Sequence, residues 1–485
     1  VNTVAPDEDL VLGVDQGTSK LKIAAFNFDG RVVAEVAAST PVRLAGFDGV
    51  EADPEEWWTA LAGSLRKLLS GSEIEPDRIR GVGLCGVMHS LVLVDGGGRS
   101  IGAVPLWPDQ RHRLADDDRL ASVAAGTSAA ACLGRLKWQL DADPETRRRV
   151  RLLLPVKDFL RYRLTGSAAS DPFEARATGL AEPNGRAWSE EVLELLRVPL
   201  DALPPIEEPD RVAGAVCAPA AAETGLVPGT PVVCGTGDWH AALLGSAAWM
   251  PRHVGLSLGT AGTLGAFESA HDFERLAEPA CFGAVTSTGS ALQWAARALL
   301  ASAGGRDSSV TGGIIELAGQ SPPGARGVTF LPHLMGERGG SVRPNASGTL
   351  TGLRLIHGPE DLARGVVEGT AAWLRLVAGP SLAGRPFDSL VASGDGARSM
   401  LNLEIAAALY ERPVVVPESL EAGTRGVAQL AAYALGALGS RSRSAAQWLR
   451  PATVVDPDPQ LVEDYREVLE RFRRVEAALR ASESS

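Results

Sequence analysis

The chain has 485 residues, 45% hydrophobic and 22% charged, with a formal net charge of −12, the size and composition of a globular protein of about two to four domains. That acidic balance argues against a nucleic-acid partner, which needs a basic face, and no run of about 18 apolar residues is present to span a bilayer. Five cysteines, at 85, 132, 217, 234 and 281, include no C-x-x-C pair, and the start VNTVAPDEDL has no apolar signal segment; reduced thiols in a cytoplasmic protein are expected, without disulfide framework or zinc site.

In chain order, LVLGVDQGTSKLKIAAFNFDGRVVAEV (10–36) alternates apolar runs with the turns QGTSK and Asp29-Gly30, predicting a three-stranded meander that opens an α/β domain. DPEEWWTALAGSLRKLL (53–69) has an Asp-Pro start and apolar residues at helical spacing, predicting a helix. GVGLCG (81–86) satisfies G-x-G-x-x-G, but a dinucleotide fingerprint must follow a strand and open a helix. Polar EPDRIR precedes it and apolar VMHSLVLVD follows, so its glycines read as part of a strand approached closely by other backbone. No G-x-x-x-x-G-K-[ST] occurs, which removes a P-loop. Arg147, Arg148, Arg149 and Arg151 form a basic run in a periodic stretch and read as a solvated helix face.

Residues 207–232, rich in Pro, Gly and Ala, read as loops, and VVCGTGD (232–238) as a strand running into Asp238 ahead of the helix-like AALLGSAA. HVGLSLGTAGTLGAFES (253–269) repeats the strand, Gly-Thr turn, strand pattern of the N-terminal stretch, suggesting two similar domains, although Gly-Thr turns after strands are common. The strand SLVAS leads into SGDGARS (393–399) and the helix-like MLNLEIAAALY. A last helix is expected over 458–483: Asp458 caps it, and Leu461, Tyr465, Val468, Phe472, Val475 and Leu479 form a stripe that should dock on its own domain.

Four stretches could carry chemistry. In DQGTSK a strand delivers Asp15 to its end, and Gly17, Thr18 and Ser19 offer backbone N–H groups and two hydroxyls suited to anionic oxygens. Asp15 could hold Mg2+ there; a plain polar turn is the other reading. LSLGTAG (256–262) offers the same donors without a carboxylate. Asp238 stands where an α/β protein keeps a general base, or simply caps a helix. The turn SGDGARS puts backbone donors at a helix start, where a nucleotide could bind.

These motifs, in this order, resemble the FGGY carbohydrate kinases over nearly the whole chain: GVDQGTSK, DPEEWW, GLCGVMHS, LWPDQR, KDFLRYRLTG with SDPFEA, GTGDWHAALLG, LSLGTAG, FLPHLMGER, GTLTGLRLIHGPEDLARGVVEG and GDGARS. They are nearest in tone to xylulokinases, while Met88-His89-Ser90 also resembles gluconokinases. The resemblance implies an α/β fold of two actin-like, ribonuclease H-like domains with a cleft between them, placed at 9–247 and 248–485. It implies ATP and Mg2+ as cofactors and a small sugar or polyol as substrate, with no nucleic-acid or membrane partner and a homodimer left open.

Carried over by position, Asp15 is implied as the Mg2+-associated carboxylate, and Asp238 as general base and second metal contact. Gly17, Thr18 and Ser19 match the first phosphate loop, Lys22 a basic position near the γ-phosphate, and Gly259 and Thr260 the second phosphate loop. Gly394, Gly396 and Ala397 match the adenosine-side turn; Met88, His89, Trp107 and Asp109 fall at sugar-site positions. Trp239 stands where many relatives have a small or amide residue and would reshape the sugar pocket. Other departures are Arg135 for a usual Lys, Gly365 for Ala or Ser, Asp395 within a common G-G-G, and no proline after GER. The expected reaction is ATP-dependent phosphorylation of a terminal hydroxyl, a ketopentose such as xylulose first and gluconate or a polyol as alternatives. A non-catalytic member or a sugar-independent ATPase on the same fold is the competing class. An NAD-dependent dehydrogenase rests on GVGLCG alone.

Overall fold

The computed structural model describes residues 8–46, 49–72, 74–109, 111, 114, 119–123, 129–300, 309–334, 336 and 346–483. The chain divides into two compact units, Val1–Gly245 with Gly423–Trp448, and Ser246–Ala422 with Leu449–Ser485.

A mixed seven-stranded sheet organises the first unit. Leu10–Gln16 (β1), Lys20–Asn27 (β2) and Val32–Ser39 (β3) form the expected meander, with Asp15 opposite Lys22. Ile79–Gly86 (β4) runs parallel to β1 and sets Cys85 beside Asp15. Val212–Ala215 (β5) and Pro231–Val233 (β6) extend the sheet past β4, and Thr236–Gly237 (β7) pairs with β4 so that Thr236 lies beside Cys85.

Because side chains alternate along a strand, the sheet has two unlike faces. Leu10, Leu12, Val14, Val82 and Leu84 join the core formed with Trp57, Leu61 and Leu65 of the helix Pro54–Gly71 and with Phe159 and Leu160 of the helix Val156–Thr165. The first of these helices starts as expected, its Asp53 cap accepting from the Glu55 amide at 3.0 Å. On the opposite face, a Cβ on Gly13 would overlap the Thr424 carbonyl oxygen, and one on Gly83 that of Val427. The helix Ala422–Ala434 therefore lays its backbone directly on β1 and β4. GVGLCG is thus a strand whose glycines admit a helix. The same contact explains why residues 423–448 group with the first unit, where a single division at 247/248 would assign them to the second.

The second unit repeats the plan in a six-stranded sheet. His253–Leu258 (β8), Gly262–Ala266 (β9) and Ala280–Val285 (β10) form a meander; Ser389–Ser393 (β11) is parallel to β8, Val414–Pro417 (β12) parallel to β11, and Pro451–Val455 (β13) antiparallel to β12. Both sheets join a meander through its first strand to two parallel strands and close on an antiparallel edge. The two Gly-Thr turns mark a true repetition of topology. The helix Pro459–Glu483, capped by Asp458 through the Gln460 amide at 2.7 Å, buries Tyr465, Val468 and Phe472 against its own unit. There the Tyr465 hydroxyl donates to Glu368 at 3.0 Å and accepts from Arg364 at 2.8 Å. Gly365, next to Arg364 on the helix Pro359–Leu382, faces Val328, whose side chain leaves little room for a Cβ.

Residues 207–232 depart from the loop expectation: they hold β5, the helix Ala218–Thr224 and β6. Composition obscured them because the burial that fixes them, at Val216, Ala220, Leu226 and Val232, is scattered among small residues. The arginine run is solvated and locally paired, Arg147 with Asp141 at 2.7 Å and Arg148 with Glu145 at 2.6 Å. All five cysteines are free, and among the described residues no helix is long and apolar enough to cross a membrane. Gln110 of LWPDQR, and Met335 with the GERGG stretch after Gly336, lie outside the described residues.

The Gly83 contact makes a paired prediction. Gly83→Ala should destabilise the protein by about 2–3 kcal/mol through overpacking. Gly63→Ala, half-buried in the interior of the helix Pro54–Gly71 but with open space where its Cβ would go, should stabilise by up to about 1 kcal/mol. Urea unfolding measures both; a Gly83→Ala midpoint equal to wild type contradicts the helix-on-strand contact.

Candidate functional site

The chemistry-bearing residues of the first unit gather where β1, β4 and β7 end. Beyond β6, Gly235 takes a left-handed turn (φ 75°), β7 follows, and Asp238 opens the helix Asp238–Gly245. Asp238 Oδ1 accepts the Trp239 amide at 2.8 Å. Loss of hydration pushes its carboxyl up to about 7; the nearby Asp15 charge adds to this, and the Trp239 amide offsets it in part. Between the two carboxylates stands Cys85, fully buried and hydrogen-bonded to Asp15, its thiol raised first by burial and then by Asp15 and Asp238. The helix Ala422–Ala434 begins over this spot, since a Cβ on Gly423 would press on Asp15 Oδ2 and Cys85 Sγ. A carboxyl that titrates near neutrality is suited to accept a proton. The mutual repulsion of Asp15 and Asp238 is also what a divalent cation relieves. Among the described residues no group of three or more His, Cys, Asp or Glu could hold a metal, so a cation at these two carboxylates would need further ligands from outside the chain.

The turn after β1 is built differently from the sequence expectation. The Gly17 amide donates to Lys20 O at 2.9 Å and closes the hairpin, so it is not a free phosphate donor. The Thr18 and Ser19 amides make no hydrogen bond among the described residues and remain as donors. Thr18 Oγ1 accepts the Trp107 indole N–H at 3.0 Å. Lys22 stands across from Asp15 on β2.

Met88 follows β4 and packs its sulfur against Gly237, where a Cβ would collide with it. His89 holds a left-handed backbone (φ 60°), uncommon without glycine and typical of functional sites. Its Nδ1 lies 2.9 Å from Ala177 O, and its carbonyl accepts from the buried Arg135 at 2.8 Å. Asp109, matched to the sugar site by resemblance, is engaged by protein donors. Its carboxylate is shielded from solvent and accepts the Val50 amide at 3.0 Å, the Arg111 amide at 3.0 Å and the Arg111 guanidinium at 2.6 Å. Burial alone would raise its carboxyl, but these donors outweigh burial and hold it low. Asp109 anchors the turn that carries Trp107. The Trp239 indole N–H is buried without an acceptor among the described residues, and the ring stands edge-on to His240, which stacks on Phe173 with centroids 4.1 Å apart.

One cluster escaped the sequence reading of roles, although KDFLRYRLTG and SDPFEA contain it. Lys157 is wholly buried, with Nζ 2.5 Å from Asp158, 3.0 Å from Asp171 and 3.3 Å from Cys234 O. Burial would lower its ammonium, but the two aspartates outweigh this and raise it. Asp171 also caps the helix Pro172–Thr178 and accepts the Thr236 hydroxyl at 3.1 Å. Lys157 and Asp171 thus grip the chain on both sides of Gly235, just before Asp238. Glu174, pushed up by burial, completes the cluster.

In the second unit the Gly259 amide closes its own turn onto Ala261 O at 3.1 Å, leaving the Thr260 and Ala261 amides as donors among the described residues. The start of the helix Gly289–Leu300 braces this turn: Gly289 N donates to Gly259 O at 3.1 Å and Thr288 Oγ1 donates to the same oxygen at 2.9 Å. The turn after β11 packs against Leu258. Gly394 is left-handed (φ 83°), and a Cβ on Gly396 would press on Leu258, so the turns holding Gly259, Thr260, Gly394, Gly396 and buried Ala397 adjoin. Ser399 then caps the helix Met400–Tyr410, and Asn402 donates to Gly396 O at 2.9 Å. Asp395 is exposed beside Arg398 at 3.7 Å and leaves the turn intact.

Comparison with known proteins agrees with this architecture. Residues 10–245 match the family model "FGGY family of carbohydrate kinases, N-terminal domain" and residues 232–435 its C-terminal counterpart. A xylulose kinase of Streptomyces rubiginosus is 31% identical, over 97% of this chain and 96% of its own. A gluconokinase of Bacillus subtilis is 25% identical, over 89% and 88%. The solved structure of xylulose kinase from Rhodospirillum rubrum superposes with a TM-score of 0.75 at 28% identity, covering 97% of this chain and 99% of that one.

The electrostatics of Asp238 can be read without any ligand. In metal-free protein labelled with 13C at aspartate carboxyls, the resonance missing from Asp238→Asn should titrate near 7. In Asp15→Asn it should titrate at lower pH, because a repelling charge is gone. An unchanged midpoint in Asp15→Asn shows that the two carboxylates do not interact.

Proposed function

The chain belongs to the FGGY family of carbohydrate kinases and is a sugar phosphotransferase, and from that premise we propose that it moves the γ-phosphoryl group of ATP to a terminal hydroxyl of a small ketose, xylulose first. The observation that carries the proposal is Asp238, a half-buried carboxyl at a strand end beside Asp15, raised to about 7 and so able both to take and to hold a proton near neutral pH. Asp238 accepts the proton of the attacking sugar hydroxyl, and the oxygen of that hydroxyl bonds to phosphorus as the bond to the departing ADP oxygen breaks. Met88, His89 and Trp107 are assigned to the acceptor, with Asp109 holding the Trp107 turn. Trp239 adds a buried N–H whose missing partner suits a sugar hydroxyl. In the second unit the turns at 258–262 and 394–397 are assigned to the nucleotide, and in the first the Thr18 and Ser19 donors and Lys22 to phosphate oxygens. Mg2+, held by Asp15 and Asp238, would neutralise phosphate charge. Relatives named xylulose kinase and gluconokinase support a sugar or sugar-acid acceptor, so gluconate is the second candidate.

A coupled ADP-release assay with D-xylulose, D-ribulose, D-gluconate, glycerol and erythritol should show sugar-dependent release, highest in kcat/KM for D-xylulose. Release that ignores every sugar identifies an ATPase instead. Asp238→Asn should lower kcat about 10²–10⁴-fold with ATP binding retained; retention of more than about a tenth of turnover rules Asp238 out as the base. Trp239→Phe, which keeps the ring and loses the N–H, should raise the acceptor KM roughly 3- to 10-fold and leave that of ATP unchanged. An unaltered acceptor KM removes Trp239 from the acceptor site.

A further inference from the structure

We propose that Trp107 is a positioning residue for Thr18: its indole N–H occupies a lone pair of the Thr18 hydroxyl and so commits that hydroxyl's own proton to an oxygen of the transferred phosphate. The proposal rests on the phosphoryl-transfer reading above and adds to it a link between an acceptor-side residue and a phosphate-side donor.

An indole nitrogen can only donate, whereas a threonine hydroxyl has one proton and two lone pairs. Trp107 Nε1 lies 3.0 Å from Thr18 Oγ1, so the direction of that bond is settled by chemistry. The Thr18 hydroxyl makes no other hydrogen bond among the described residues, so its proton is still to be donated, and the turn that bears it presents two further unused amide donors. An N–H bonded to the oxygen also polarises the O–H and makes it a better donor.

Both partners stand on braced backbone, as a positioning contact requires. Thr18 sits in the hairpin turn closed by Gly17 onto Lys20 O at 2.9 Å. Trp107 sits in a turn closed by Asp109 N onto Leu106 O at 2.9 Å and stitched to β-structure by Leu106 N onto Val50 O at 2.8 Å. The Asp109 carboxylate returns the Val50 amide at 3.0 Å, and Arg111 ties it to Glu51. This gives the buried, fully committed Asp109 a purpose: it fixes the indole that fixes Thr18. A sugar that docks beside the same indole would stabilise the donor geometry on which transfer depends.

A double-mutant cycle decides the matter, using Trp107→Phe, Thr18→Val, both together, and Thr18→Ser as the conservative rescue, each checked for unchanged circular dichroism and melting. Trp107→Phe should lower kcat about 3- to 10-fold with the sugar KM changed far less. Thr18→Val should lower kcat about 10- to 100-fold, Thr18→Ser should stay near wild type, and the double variant should match Thr18→Val alone. If Trp107→Phe loses the same factor in the Thr18→Val background, or alters only the sugar KM, the proposal is overturned. Calorimetry without sugar provides an arm independent of turnover and of the acceptor's identity. Affinity for a non-hydrolysable ATP analogue should fall in both single variants without further loss in the double, while ADP affinity stays put. Additive losses overturn the proposal. Failure of the wild-type chain to bind the analogue at all would instead sink the parent reading and this inference with it.

Discussion

The first unit depends on a contact that only glycine permits. Helix backbone lies against strand backbone at Gly13 and Gly83, with the Thr424 and Val427 carbonyls where side chains would otherwise begin. Because a strand presents every second residue to one face, the requirement at 13 and 83 passes to 15 and 85. Asp15 and Cys85 must look the same way as the glycines and meet the start of the same helix, where Gly423 again leaves no space for a Cβ. Packing and chemistry are thus two residues apart on one face. The helix brings its N-terminal turn, the positive end of its dipole, to the carboxylate that the proposed reaction uses.

A second constraint acts from the sheet's other face. Burying Lys157 with Asp158, Asp171 and Glu174 is unfavourable unless every charge is matched, and apolar packing would give stability at lower electrostatic cost. What apolar side chains cannot do is bond the Cys234 carbonyl and the Thr236 hydroxyl at once. Those two groups flank the left-handed Gly235, the point at which the chain chooses its path into Asp238. The buried ions therefore secure direction, and Gly86, close to the Lys157 backbone, lets the strand lie near enough for them to do so.

Legibility in the sequence followed the range of the interaction. The meander, the Asp53 and Asp458 caps, the C-terminal helix and the strand nature of GVGLCG rest on neighbours within a turn or on strict alternation, and each is present. Residues 207–232 and the return of 423–448 to the first unit rest on contacts with distant strands, which composition does not record. The site divides in the same way. Asp238 was recognisable by its place after a strand, but its raised carboxyl depends on burial and on Asp15. The amides of Gly17 and Gly259 look free in sequence and are spent on their own turns. The partners of Asp109, Arg111 and Val50, are seen only in the fold, and the Trp107–Thr18 bond joins positions that no local pattern connects.

The repeated topology sharpens what is specific to each unit. Both hairpin turns begin with a glycine amide folded back on the turn and leave the following two amides as donors. Their supports differ. In the second unit backbone and the Thr288 hydroxyl hold the turn. In the first unit the brace is a side chain, Trp107, and a carboxylate, Asp15, precedes the turn. The corresponding position before the second turn is Ser257 or Leu258, with no charge to repel a phosphate or to attract a cation. A duplicated frame has therefore kept two unspent amides at both turns and a carboxylate before only the first. On the proposed reading that asymmetry places the cation at the first turn alone, because a phosphoryl transfer with one metal site needs a carboxylate beside only one of its two phosphate turns.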